Sequence, residues 1–193
     1  MRYFYLHGFL SGPNAVKAHK MQDYIRRYRP DATFMAPDYP DLPEEACAYL
    51  EQYFEEFAEP EDVVVGSSMG GFFTALLQRR FHYNAVLLNP CVHPQNYFEK
   101  LIGDYVNPLT GRAFTLKPEM LATLESYDRS IAVEPLKTRV YLKDGDEVLD
   151  YLKAVTFFKG CHIDIRGGGD HAMSDFENYL DAIIGRSPAP FRP

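Results

Sequence analysis

Ser68 lies in a short glycine-rich segment that could make its hydroxyl a nucleophile. Residues 66–71 read GSSMGG, after the apolar run 62–65 and before the helix-like run 72–77. The pattern G-x-S-x-G between a strand and a helix is typical of a nucleophile elbow, where a sharp turn favours glycine on both sides of the serine. In a chain of this length, chance would give on the order of 0.06 such matches. The pattern therefore predicts a catalytic serine rather than an ordinary glycine-rich turn.

A serine hydroxyl needs a base, and His171 is the histidine best placed to act as one. Histidine exchanges protons near neutral pH. Among the six histidines, only His171 directly follows the last predicted strand, after the glycine run 167–169 that would let the backbone bend toward the serine. The order serine, acid, histidine is typical of hydrolases with this elbow. His7, in contrast, is expected to fix the loop after the first strand through hydrogen bonds.

An acid that orients the histidine is expected in the loop over residues 143–150, which reads KDGDEVLD. Such a carboxylate holds the imidazole and stabilises its cation. Asp146 is the first choice, because an aspartate followed by a short apolar pair resembles the acid loop of many α/β-hydrolases. Asp144 is the second choice, and Asp150 would cap the following helix. A calcium site is disfavoured, since the loop lacks the calcium-loop pattern.

The negative charge that forms on an attacked carbonyl oxygen needs two preset N–H donors. The backbone N–H of Met69, directly after the serine, is the first expected donor. The second would come from the loop after the first strand, where Phe9 is favoured and Leu10 is the alternative. Cys91 also follows a strand, but no elbow surrounds it, so we interpret it as a small buried residue.

Strand-like and helix-like segments alternate along the chain, which predicts one α/β domain over residues 1–193. The sheet should be mostly parallel, with about six strands and helices on both faces. The predicted strands are 2–6, 33–36, 63–65, 85–88, 139–142 and 162–165, and the predicted helices begin near residues 11, 43, 69, 148 and 174. Active sites of such sheets lie outside the carboxyl ends of the strands, where the candidate residues fall. The tail 187–190 is expected to be loose.

Residues 92–134 interrupt this alternation, because no clear strand stands out among them. Apolar and aromatic residues at helix-like spacing predict helical pieces, and residues 107–111, NPLTG, give a strong turn signal. A helical insertion after a strand end would be placed to cover the serine as a lid. The alternative is a helical layer that only completes the fold.

Charge, cysteine spacing and the pattern of apolar residues disfavour several classes of protein. The formal net charge is −7 and no basic patch stands out, which disfavours a nucleic-acid partner. The three cysteines are widely spaced, which disfavours both a disulfide framework and a metal-binding pair of cysteines. No signal-peptide pattern and no run of about 20 apolar residues occurs. We therefore expect a cytoplasmic protein without a membrane span.

With these residues in view, the chain resembles the small YqiA/YcfP-like esterases of the α/β-hydrolase superfamily. The matching segments are 5–11 (YLHGFLS), 66–71 (GSSMGG), 107–111 (NPLTG), 145–151 (GDEVLDY) and 169–172 (GDHA). The resemblance implies a compact hydrolase that lacks the first two strands of larger relatives. It also implies a Ser68–Asp146–His171 triad that acts on acyl esters or thioesters. Asp144 and Asp170 depart from the family pattern, where neutral residues would be expected.

The sequence thus predicts a serine hydrolase that cleaves small-molecule acyl esters or thioesters through an acyl-enzyme, with no metal or organic cofactor. The aromatic insertion suggests an apolar acyl group. Two alternatives stay open. The same triad could transfer the acyl group to an alcohol or amine, or the fold could serve as a binding protein with an idle site.

Overall fold

A six-stranded parallel sheet organises the protein, of which the computed structural model describes residues 1–185. Its strands are β1 (Arg2–Leu6), β2 (Thr33–Met35), β3 (Val63–Ser67), β4 (Asn84–Leu88), β7 (Thr138–Lys143) and β8 (His162–Arg166). They lie in the order β2-β1-β3-β4-β7-β8, and every neighbouring pair is parallel. The predicted six-stranded α/β architecture is confirmed.

Helices cover both faces of this sheet. They are α1 (Val16–Tyr28), α2 (Pro43–Phe57), α3 (Met69–Phe81), α4 (Gln95–Phe98), α5 (Glu119–Ser130), α6 (Tyr151–Phe157) and α7 (Glu177–Ile184). Successive side chains of a strand point to opposite faces, and β1 shows this. Tyr3 and Tyr5 pack with α1 and α7, whereas Phe4 and Leu6 pack with α2 and α3. The sheet therefore separates two apolar cores.

Three helices begin later than the sequence predicts. Helix α1 begins at Val16 and not at position 11. Helix α6 begins at Tyr151 and not near 148, and α7 begins at Glu177 and not at 174. Residues 147–149, just before α6, form a bend in which Asp146 Oδ1 accepts the N–H groups of Val148 and Leu149. Asp150 then caps α6 through the N–H of Leu152, at 3.0 Å, as expected.

The insertion 92–134 contains a β-hairpin as well as helices, which corrects the expectation of helical pieces alone. Strands β5 (Gly103–Val106) and β6 (Ala113–Leu116) pair in antiparallel fashion. Asn107 makes the turn between them, because its Oδ1 accepts the N–H groups of Leu109 and Thr110 at 2.9 and 3.2 Å. Each strand has only four residues, too few to give a clear alternating pattern in the sequence.

Polar contacts hold the hairpin against the loops at the carboxyl edge of the sheet. Asn107 Nδ2 donates to the backbone oxygen of Ser11 at 2.8 Å. The Arg112 guanidinium pairs with Asp41 at 3.1 Å and with Asp38 at 2.9 Å. The hairpin therefore sits beside the loop that follows β1, where the sequence places part of the candidate site.

No helix among residues 1–185 combines the length and the apolar character that a bilayer crossing requires. The proline-containing tail 187–190, expected to be loose, lies outside the described residues.

Candidate active site

Ser68 stands between the end of β3 and the start of α3, in the predicted strand–turn–helix setting. Its φ of +54° is a backbone conformation that residues other than glycine rarely adopt. The turn brings α3 against β1 so closely that a Cβ on Gly70 would lie 2.1 Å from the backbone oxygen of Leu6. Glycine is therefore required there for steric reasons, which is why the motif carries it.

His171 lies between Ser68 and Asp146 and contacts both through its ring nitrogens. Its Nε2 lies 2.9 Å from Ser68 Oγ, and its Nδ1 lies 2.8 Å from Asp146 Oδ2. With the proton on Nδ1, the ring donates to the carboxylate and accepts from the serine hydroxyl. The structure thus brings together the serine, base and acid that the sequence predicts, although they are far apart along the chain.

Asp146 is fixed by hydrogen bonds to both oxygens. Its side chain is only 2 % exposed, and Oδ1 accepts the N–H groups of Val148 and Leu149 at 2.9 and 2.8 Å. Oδ2 therefore stays free for the histidine. Asp144 is exposed and accepts the N–H of Gly168 instead. Of the two open choices for the acid, the geometry favours Asp146.

Asn89 holds the histidine loop in place, a contribution that the sequence reading missed. It follows β4, and its Nδ2 donates to the backbone oxygens of Asp170 and His171, both at 3.2 Å. Its Oδ1 accepts the N–H of Lys143 at 2.9 Å. The sequence shows only that Asn89 is an amide side chain at the end of a strand, before a proline. The groups that it binds come close to it only in the folded chain.

Lys143 also supports this loop. Its ammonium pairs with Asp175 at 2.6 Å, and its side chain is only 4 % exposed. A Cβ on Gly169 would lie 2.7 Å from the Cδ of Lys143, and Gly169 has a φ of +78°. The glycine run before the histidine therefore serves both a tight turn and a close packing contact.

The loop after β1 faces Ser68 from the other side. A Cβ on Gly8 would lie 3.3 Å from Ser68 Cβ, so the backbone of this loop directly contacts the serine. The ring of Phe9 packs on Phe98, with ring centroids 5.0 Å apart. Met69 is the first residue of α3, where backbone N–H groups have no partner within the helix. Both predicted oxyanion donors thus belong to backbone segments that adjoin the serine.

His7 has the structural role that the sequence predicts. It is buried, its Nδ1 lies 3.0 Å from the backbone oxygen of Gly8, and its ring stacks on Tyr39 with centroids 4.0 Å apart. Burial lowers the pKa of His7, which keeps the ring neutral.

Cys91 is buried, as expected. Burial raises the pKa of its thiol to about 12, so the reactive thiolate is strongly disfavoured. Its backbone N–H donates to the Ser68 backbone oxygen at 3.0 Å, which helps to hold the elbow.

A cavity of about 650 Å³ opens onto Ser68 and His171. Phe9, Leu109 and Val148 contribute apolar surface to its wall. Ligand sites are commonly concave and mostly apolar, with a few polar groups that fix orientation. The volume is large enough for a drug-sized molecule. Within residues 1–185, no group of three or more histidine, cysteine, aspartate or glutamate side chains is arranged to hold a metal ion.

The sequence matches a family model described as "Uncharacterised protein family (UPF0227)" over residues 2–186. The chain belongs to this family. UPF0227 is the YcfP/YqiA family, so the resemblance drawn from the five sequence segments is confirmed.

Solved structures with a similar architecture include an esterase domain and an alpha/beta hydrolase domain-containing protein. Est1E from Butyrivibrio proteoclasticus with bound ferulic acid superposes with a TM-score of 0.70 at 14% identity, over 94% of this chain and 86% of that one. Mouse alpha/beta hydrolase domain-containing protein 10 superposes with a TM-score of 0.67 at 15% identity, over 95% of this chain and 89% of that one. The esterase domain of a Rhodothermus marinus protein superposes with a TM-score of 0.62 at 16% identity, over 98% of this chain and 87% of that one. The chain therefore has the α/β-hydrolase fold.

Proposed function

We propose that this protein is a serine hydrolase that cleaves acyl esters or thioesters through a Ser68–His171–Asp146 triad. The observation that carries the proposal is the continuous chain of contacts from Asp146 through His171 to Ser68, at 2.8 and 2.9 Å, at the wall of a 650 Å³ cavity. A nucleophile hydrogen-bonded to a base that a third group orients is the arrangement needed for covalent catalysis.

In the first half of the reaction, Ser68 Oγ attacks the acyl carbonyl carbon while His171 Nε2 takes the hydroxyl proton. Asp146 holds the ring through Nδ1 and stabilises the cation that forms. As the tetrahedral intermediate collapses, the bond to the alcohol or thiol breaks. His171 returns the proton to the departing oxygen or sulfur, and the acyl group stays on Ser68.

In the second half, His171 removes a proton from water, and the resulting nucleophile attacks the acyl-serine. As this intermediate collapses, the bond from the acyl carbon to Ser68 Oγ breaks, His171 gives its proton to Oγ, and the carboxylic acid is released. In both halves, the N–H groups of Phe9 and Met69 stabilise the negative carbonyl oxygen. Backbone donors that are fixed before the reaction need no reorganisation when charge develops.

The insertion 92–134 is proposed to cap the site. Leu109, in the hairpin turn, lines the same cavity as the serine, and the Phe9 ring packs against Phe98, Tyr105 and Phe114 of the insertion. This arrangement favours an apolar acyl group. The ferulic acid on Est1E and the esterase domain from Rhodothermus marinus, both of the same fold, lend support to esters as the substrate class.

A cytoplasmic location is also proposed. Cys47, Cys91 and Cys161 are all unpaired, as is usual for proteins kept in a reducing compartment.

Hydrolysis of 4-nitrophenyl esters and acyl thioesters with two to sixteen carbons tests the proposal. The wild type should release one acid and one alcohol or thiol per turnover, and Ser68→Ala should lose at least about a thousandfold in kcat. Added alcohols and amines in the same assay would reveal acyl transfer instead of hydrolysis. Equal turnover by wild type and Ser68→Ala would rule the mechanism out.

A further inference from the structure

The first turns of α1 form part of the wall of the active-site cavity, and this wall carries two lysines. Lys17 and Lys20 both line the cavity together with Ser68 and His171. Residues three apart lie on the same face of a helix, so the two ammonium groups share one side of the cavity.

Lys17 reaches the loop that holds the base. Its ammonium donates to the backbone oxygen of Ala172, the residue directly after His171. An ammonium has three N–H donors, so this contact leaves it able to bind an additional acceptor. Burial lowers the pKa of Lys17; the nearby Asp170 opposes this effect and Lys20 adds to it.

Two carboxylates lie near the lysines: Glu177, which pairs with Lys20, and Asp170, which binds a serine. Glu177 pairs with Lys20 at 2.6 Å, but its side chain is 56 % exposed. Asp170 accepts the N–H and the hydroxyl of Ser174 through its two oxygens. Lys20 thus already has one carboxylate partner, but an ammonium has three N–H donors and can bind a further acceptor beside it.

The position of the lysines is unfavourable for the helix itself. The first turn of α1 contains Lys17 and no acidic residue, and no side chain caps it. Cations near a helix N-terminus oppose the helix dipole, which stabilises acidic residues there instead. A cation at this position calls for a reason outside helix stability; the contact with Ala172 supplies one, and a bound anion would supply a second.

The side of the substrate that meets these lysines follows from the chemistry of the triad. His171 must lie beside the leaving oxygen or sulfur in order to protonate it. Lys17 contacts the backbone oxygen of the residue directly after His171, so its ammonium lies near the group that must protonate the leaving atom.

We propose that the cavity binds esters or thioesters whose leaving group carries a carboxylate or phosphate, and that Lys17 and Lys20 bind this anion. The proposal rests on the proposed hydrolase function and names its substrate class.

The test compares three butanoate esters of phenols that differ in the para substituent: carboxylate, phosphate and the neutral carboxamide. Enzyme variants are Lys20→Gln and Lys17→Gln, with Lys159→Gln as a matched control, since Lys159 is an exposed lysine next to the amino end of β8. The readout is the ratio of kcat/KM for each anionic ester to that for the carboxamide. This ratio cancels any general disturbance of the histidine loop.

We expect Lys20→Gln and Lys17→Gln each to lower the anion ratio about tenfold, because a hydrogen bond to a charged group is lost. Lys159→Gln should keep the ratio of the wild type. A fall for the phosphate ester alone, or for the carboxylate ester alone, identifies which anion the site takes. An equal loss for anionic and neutral esters would overturn the proposal and leave Lys17 as a support for the loop.

Binding of the same uncleaved esters to Ser68→Ala, by calorimetry, separates this proposal from the function on which it rests. If the wild type cleaves none of the esters but Ser68→Ala prefers the anionic ones, and Lys20→Gln added to Ser68→Ala removes this preference, the anion site stands and the hydrolase proposal fails. If the wild type cleaves all three esters and neither lysine variant changes the ratios, the hydrolase proposal stands and the anion site fails.

Discussion

The side chains at the centre of the site gain their proposed chemistry from neighbours that fix their geometry. Asp146 meets His171 with one oxygen because two backbone N–H groups bind the other. His171 in turn accepts from Ser68 only in the tautomer that this carboxylate enforces. The sequence predicted all three residues, since each follows a strand and stands in a recognisable local pattern.

Replacing the acid distinguishes the two candidate aspartates. Asp146→Asn keeps the shape of the side chain but favours the wrong histidine tautomer, so kcat should fall by about three to four orders of magnitude. Asp144→Asn, the matched control two residues away, should lower kcat less than about threefold, because Asp144 binds a backbone N–H of the loop and not the ring. Steady-state kinetics with one ester measures kcat for both variants. A larger loss of kcat in Asp144→Asn than in Asp146→Asn would assign the role of the acid to Asp144.

The elements that hold these side chains could be predicted to different extents. Helices α2 and α3 begin where the sequence predicts, because each combines a clear starting signal with a long apolar face. The hairpin β5–β6 was missed, although its turn signal was noted, because its strands are short and half-exposed. The role of Asn89 was missed for another reason: its partners, 81 and 82 residues away, meet it only through the order of the sheet.

The link between β4 and the histidine loop can be tested through Asn89. Asn89→Ala removes the side-chain partner of the His171 oxygen and of the Lys143 N–H, which should cost about 1–3 kcal/mol of unfolding free energy; the Asp170 oxygen keeps the N–H of Met173. The loop should also shift, and displacements of about 1 Å at an active site can lower kcat about a hundredfold. Asn84→Ala, at the amino end of the same strand, is the control and should leave kcat unchanged. Urea unfolding and ester kinetics give both values. Activity equal to the wild type in folded Asn89→Ala would show that the loop is held in other ways.

At the scale of the whole molecule, the parallel sheet separates two apolar cores and carries the candidate site at its carboxyl edge. The strand order places β3, β4, β7 and β8 side by side, so the serine, Asn89, the acid and the histidine meet although they lie far apart in the sequence. The fold class could be predicted because alternating segments leave few other arrangements. The position of the two lysines on the cavity wall could not be predicted, since the spacing of residues in α1 does not show which of its faces meets the site.

The stability of the whole fold should depend on pH through His7. Burial lowers its pKa in the folded protein, whereas the unfolded chain has a value of about 6.5. The unfolded state therefore binds more protons once the pH falls below about 6.5, and the stabilisation present above that pH is lost as the pH falls toward the folded value. His7→Gln should show a shallower fall in unfolding free energy between about pH 7.5 and 5.5. His19→Gln, which changes an exposed histidine, should behave as the wild type does. Parallel curves for wild type and His7→Gln would mean that His7 does not titrate in this way.

Covalent labelling with a fluorophosphonate probe, read by intact mass, tests most directly whether Ser68 is an activated nucleophile. The probe reacts with a serine only where a base and an oxyanion site are assembled around it. We predict one adduct on the wild type, one on Ser67→Ala and none on Ser68→Ala, with all three proteins folded by circular dichroism. An adduct that persists on Ser68→Ala, or a folded wild type that takes up no probe, would contradict the proposed triad.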